Sequence, residues 1–170
     1  MNASVVNGVP VCAVEGLISA VKEDAAKGQT KWNATTTWKG GFNCESRIRN
    51  HTIRMDEPEA LGGTDTAPNM VESVLAAYGS CLTVGYTLNA SRRGIRIRSL
   101  EVELEGDLDL AGFFDLADNV PPGFTGVRAI VRLDADASPQ DIQALHQHVL
   151  RTSPVGSILE RPLGVKTTLA

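Results

Sequence analysis

Residues 62–94, GGTDTAPNMVESVLAAYGSCLTVGYTLNASRRG, limit what this chain can fold into more than any other stretch. A glycine pair and a polar turn lead into apolar residues at helical spacing: Val71, Val74, Leu75, Leu82 and Tyr86. Thr66 or a neighbour can cap the start, and Pro68 suits a first helical turn, where its missing N–H would be unpaired anyway. Arg92 and Arg93 complement a helix C-terminus, and Gly94 marks the stop. The spacing predicts a helix of roughly 25 residues, ~37 Å long. It is apolar nearly all round, so it needs cover on several sides. One sheet covers one side; a second helix and a partner subunit are the sources for the rest. Ala76, Ala77, Gly79 and Ser80 let another element approach closely, and Cys81 follows directly. A thiol behind small residues in the central helix is the most chemically suggestive group in the chain.

Around this helix the remaining elements are shorter. Val11, Val14, Leu17, Ile18 and Val21 predict an amphipathic helix over 9–23, with Cys12 in its first turn. Over 31–38, Trp32, Ala34, Thr36 and Trp38 alternate as in a half-buried strand, and 47–56 reads as a charged strand with Ile48, Ile53 and Met55 on its apolar side. Strands are expected over 95–107 and 127–134, joined by a long connection with a helical turn near 110–116. Ser138-Pro139-Gln140-Asp141 is a helix start of the capping-box type, and that helix runs to about Arg151. Ser153-Pro154 breaks it; a short helix over 155–159 and a closing strand over 163–169 follow. Strands and helices do not alternate regularly, so an antiparallel α+β architecture is expected rather than a parallel one. The 170 residues suit one domain, 1–170, in which 1–29 holds the N-terminal helix and the loop after it.

The formal net charge of −4 leaves no basic surplus, which argues against a nucleic-acid partner. No apolar run approaches the ~18 residues of a membrane helix, and the first residues lack the basic start and apolar block of a signal peptide. Cys12, Cys44 and Cys81 are odd in number and widely spaced, which points to a reducing, cytoplasmic setting rather than a disulfide framework.

Each candidate residue has a bland reading beside the chemical one. Cys81 is either a small buried hydrophobe or a nucleophile in a partly open site. Cys12 and Cys44 have no neighbour that would activate them. Glu72 is either a favourable charge at a helix N-terminus or an acid–base group. Nine residues at about 100° each place it opposite Cys81, so the two meet only through a second copy of the helix. Arg47, Arg49 and Arg54 form a solvated face, or one turns inward to stabilise a thiolate. His51, His146 and His148 lack ligand spacing, so no metal is expected. Gly62-Gly63 without a lysine-containing phosphate loop reads as a turn, and no cofactor is expected.

The runs DEPEALGGTDTAPNMVESVLAAYGSCLT, GIRIRSLEVELEGDLDL, VPPGFTGVRAIVRLDADAS and RTSPVGSILERPLGVKTTL resemble the OsmC/Ohr family over about residues 38–169, and NGVPVCAVEGLISAVKED resembles an N-terminal extension found in one OsmC-like branch. The resemblance implies an intertwined homodimer with an antiparallel sheet, two central helices and active sites between subunits. Peroxidase members reduce organic hydroperoxides with a thiolate on the long helix, where this chain has Cys81. They carry a second, resolving cysteine before a proline, where this chain has Ser153. Their glutamate after the helix-opening Asn-Pro falls on Val71 here, with Glu72 one residue late, and no basic residue, Arg47 included, matches their arginine cleanly.

Three functions therefore compete. The first is reduction of organic hydroperoxides by Cys81, recycled by a low-molecular-weight thiol. The second is attack by Cys81 on a non-peroxide electrophile. The third is non-catalytic binding of an apolar small molecule between subunits, in a pocket that the connection 108–124 shapes.

Overall fold

The computed structural model describes residues 5–169, which fall into two compact units: 5–11 with 75–169, and 12–74. In chain order the elements are β1 (Val5–Val6), β2 (Val9–Pro10), α1 (Val11–Glu23), β3 (Thr35–Gly40), β4 (Asn43–Ile48), β5 (His51–Met55), α2 (Met70–Arg92), β6 (Ile97–Leu108), α3 (Leu110–Phe113), β7 (Phe124–Ala135), α4 (Pro139–Thr152) and α5 (Pro154–Glu160). The fold is mixed helix and antiparallel sheet, as the irregular order of elements predicts.

In the larger unit, β6 and β7 form a long antiparallel ladder with Glu101 opposite Arg132 and Val102 opposite Val131. Alternation sends Leu100, Val102, Val131 and Leu133 against a buried cluster of Leu82, Tyr86 and Ala90 from α2 and Leu145 and Val149 from α4. Leu82, Tyr86 and Ala90 are four residues apart and so form one stripe of α2. The opposite sheet face carries Arg98 with Asp134 and Asp136, Arg128 with Glu105 and Asp107, and Arg132 with Glu101 and Glu103. These pairs are half exposed and contribute little individually to stability. The small residues of α2 act as their position suggests: a Cβ on Gly79 would stand 2.7 Å from Leu104 Cδ1, and one on Gly85 would stand 2.9 Å from Val149 Cγ1. Gly79 thus seats β6, and Gly85 seats α4.

The hairpin β1–β2 has no counterpart in the sequence reading. Asn7, at its turn with φ +50°, holds it to the end of α2. Asn7 Nδ2 donates to Ser91 Oγ at 3.1 Å and to the Ile95 carbonyl at 2.9 Å, and its Oδ1 accepts from Ile97 N at 2.9 Å. Ser138 caps α4 as expected: its Oγ accepts from Asp141 N at 3.2 Å. The expected closing strand over 163–169 is absent. Its residues have the right alternation, but none joins a ladder, and Leu163, Val165 and Leu169 are exposed.

The unit 12–74 holds α1 and a three-stranded meander, β3–β4–β5. The single strand expected over 47–56 is two: the chain reverses at Arg49, whose φ is +54°, so that Ile48 pairs with His51. The strand expected from Lys31 begins at Thr35, and Trp32 and Trp38 are 79% and 74% exposed rather than half buried. The start of α2 also differs. Pro68 lies outside the helix, and Asn69 and Glu72 cap it reciprocally, Asn69 Oδ1 accepting from Glu72 N at 2.8 Å and Glu72 Oε2 accepting from Asn69 N at 2.9 Å.

Before that start, the connector 57–66 folds around Asp56, which is fully buried. Asp56 Oδ2 accepts from Thr64 N, Thr64 Oγ1, Thr66 N and Thr66 Oγ1, at 2.5–3.2 Å, and Oδ1 accepts from Glu57 N at 2.8 Å. The Thr64 hydroxyl above all, with the Thr66 and Glu57 amides, holds this carboxyl well below the usual carboxylate range despite burial, which acts the other way.

Candidate functional site

Pro154 has no N–H and disfavours helical backbone in the residue before it, so α4 ends at Thr152 and Ser153 is extended, with φ −73° and ψ 115°. This break turns the Ser153 side chain inward, where it is 5% exposed. Its Oγ accepts from Gly156 N at 3.1 Å and so caps α5. The same Oγ lies 3.3 Å from Cys81 Sγ. Because the oxygen already serves the Gly156 N–H as acceptor, its own proton is available to the sulfur.

Two further residues complete the surroundings. Tyr78 sits three residues before Cys81, on the same side of α2. Its phenol is pushed above the ordinary range, by burial first, then by the Glu160 carboxylate and by the sulfur of Cys81. Gly156 makes room: a Cβ there would stand 3.1 Å from both Ser153 Oγ and Tyr78 Cε2. Tyr78 and Gly156 also line a cavity of ≈ 390 Å³, with Phe124, Val127, Leu159 and Glu160 among its other walls. Farther along α2, the Tyr86 hydroxyl pairs with His146 Nδ1, and burial pushes the Tyr86 phenol up to about 12.

Of the residues singled out from sequence, Cys81 and Ser153 meet although they are far apart in the chain. Glu72 is exposed and occupied in capping α2, and Arg47 is exposed on β4; both belong to the unit 12–74. Arg49 forms the β4–β5 turn, Cys12 is exposed on α1, and Cys44 is half buried on β4. Among the described residues no His, Cys, Asp or Glu cluster could hold a metal ion, and no helix is long and apolar enough to cross a membrane. Sequence reasoning missed Tyr78 and Gly156. The available signals were the i, i+3 spacing of Tyr78 and Cys81 and the glycine two residues after Pro154.

No curated protein sequence matches this chain significantly. Solved structures do. An OsmC-like protein from Mycoplasma pneumoniae superposes with a TM-score of 0.68 at 15% identity, covering 78% of this chain and 89% of that one. An organic hydroperoxide resistance protein OsmC from Legionella pneumophila gives 0.58 at 17% identity, with 77% and 91% covered. An organic hydroperoxide resistance protein from Elizabethkingia anophelis gives 0.55 at 19% identity, with 76% and 89% covered. At these identities the likeness is one of fold. The family model described as OsmC-like protein matches residues 63–168, a span that begins at the turn before α2 and includes both Cys81 and Ser153. The chain belongs to the OsmC family.

Proposed function

We propose that this protein reduces organic hydroperoxides through Cys81 and is recycled by an external low-molecular-weight thiol. The observation that carries this reading is the Cys81–Ser153 contact of 3.3 Å, with Gly156, packed against Ser153, lining a cavity of mixed polar and apolar surface. The sulfur attacks the terminal peroxide oxygen, and the O–O bond breaks. Sulfur loses two electrons and becomes a sulfenic acid, while the alkoxide leaves and takes up a proton as the alcohol. The Ser153 hydroxyl is placed to donate a hydrogen bond to oxygen near the sulfur. One thiol then displaces water to give a mixed disulfide, and a second releases Cys81 as a thiol, with the reductant leaving as its own disulfide.

Ser153 cannot resolve the sulfenic acid, since a hydroxyl oxygen forms no disulfide. Intact-protein mass spectrometry after one equivalent of cumene hydroperoxide, without reductant, is expected to show addition of one oxygen at Cys81. Added thiol should convert this to a mixed disulfide. A loss of two hydrogens mapping to Cys81 with Cys12 or Cys44 would overturn the external-thiol step. Absence of any oxidation would overturn the peroxidase reading.

We also infer a homodimer. Large apolar side chains stand exposed on β3 (Trp38), on α2 (Val84) and after α5 (Leu163 and Val165), and extended apolar surface of this kind, unlike single scattered residues, marks a site that a partner covers. Light scattering at micromolar concentration should give twice the chain mass of 18.1 kDa. A folded species at the chain mass would rule the dimer out.

A further inference from the structure

The cavity lined by Tyr78 and Gly156 has an uneven chemistry. Tyr78 and Phe124 give it two aromatic rings, Val127 and Leu159 give it aliphatic surface, and Glu160 is its one charged group. Among the described residues no cation pairs with Glu160. The neighbouring cations point to other partners. Arg161 donates to Ser157 Oγ, and Arg128 is held by both Glu105 and Asp107. Glu160 closes α5 and lines the same cavity as the Tyr78 ring.

Aromatic faces attract cations through their quadrupole, and a carboxylate adds a full opposite charge. An anion entering the same space meets Glu160, and no residue of the lining carries a positive charge to receive it. We propose that this cavity receives the positively charged end, an ammonium or guanidinium group, of an otherwise apolar ligand, held by Glu160 between Tyr78 and Phe124. The inference deepens the reading of Cys81 as the reacting thiol, on which it rests for its link to catalysis. It narrows the substrate to electrophiles whose apolar body reaches the sulfur and whose cationic end lies at α5. Gly156 links the cavity wall to the Cys81 partner: it lines the cavity, and a Cβ there would stand 3.1 Å from Ser153 Oγ.

The test uses the full chain and two probes of equal length, hexyltrimethylammonium and hexyl sulfate, titrated calorimetrically. The cation is expected to bind at least about tenfold more tightly than the sulfate, as expected for a cation over aromatic faces beside a carboxylate. Glu160→Gln should abolish most of that preference, and Phe124→Leu should weaken the cation alone by roughly threefold to tenfold. Glu23→Gln, on α1, controls for the general negative charge of the protein and should leave the preference intact. Glu160 is exposed, so its amide variant is expected to fold, and circular dichroism checks this. A preference that survives Glu160→Gln, or tighter binding of the sulfate, overturns the proposal. Cys81→Ala separates the two readings. Cation binding that persists in this variant supports the site whatever the fate of the thiol chemistry, and loss of hydroperoxide consumption alone bears only on the thiol.

Discussion

Replacing Cys81 by alanine is expected to bring consumption of cumene hydroperoxide down to the rate of thiol and peroxide without protein. The nucleophile is the whole of the covalent chemistry in this reading, and no neighbouring group can substitute for it. Ser153, the nearest heteroatom donor, has a hydroxyl that does not reduce peroxides, and the other cysteines sit on different elements. The fold should survive the change. Cys81 is only half buried, and alanine is a good helix former, so the cost is on the order of 1 kcal/mol. Cys12→Ala and Cys44→Ala are expected to keep most of the wild-type rate. Turnover retained by Cys81→Ala would remove the thiol mechanism, and equal losses in all three variants would point to a general effect on folding.

The second large effect is structural. Gly63→Ala is expected to destabilise the protein by about 3 kcal/mol or more, a drop in Tm of roughly 6–12 °C for a chain of this size. A Cβ at Gly63 would stand 1.7 Å from the Glu57 carbonyl oxygen and 2.3 Å from its carbon. Those are backbone atoms, so no rotamer change relieves the overlap. The same carbonyl accepts from Asp65 N at 3.1 Å, and Gly63 N donates to Pro58 O at 3.1 Å, so the loop cannot open locally without losing both bonds. Its displacement would also pull Thr64 and Thr66 away from Asp56, leaving a buried carboxylate short of donors. Gly123→Ala, where nothing lies within 4 Å, is the matched control and should shift stability by only a few tenths of a kcal/mol. Thermal unfolding by circular dichroism reads both. Equal melting temperatures would show that the 57–66 turn relaxes freely.

Where the sequence was legible, the reason was local. The periodicity of α2, the small residues at Gly79 and the capping signal at Ser138 each report on a few neighbouring residues, and each is found. Cys81 stood out by its place behind small residues in the central helix, but Ser153 was picked out only by family resemblance, since 71 residues separate the two and only the folded chain brings their side chains together. The misses were of a different kind. The reversal at Arg49-Asn50 offers only Asn50 as a turn residue, without the glycine that marks a two-residue hairpin loop. Thr66 and Pro68 advertised an earlier helix start, but Thr66 is drawn to Asp56, and Asn69 with Glu72 takes the cap. The 163–169 segment has the alternation of a strand, yet alternation says only that a segment suits a sheet, not that a ladder is available.

The side chain of Ser153 answers to two demands at once. It starts a helix of seven residues, too short to persist without its cap and its packing, and it faces the sulfur of Cys81. Sulfur is a weak hydrogen-bond acceptor, and loss of an oxygen cap costs about 1 kcal/mol. A lineage that exchanged this serine for cysteine would gain a second thiol within reach of the first and would loosen the onset of α5 in the same step. Stability of α5 and a self-contained pair of thiols would thus make opposite demands on this one position.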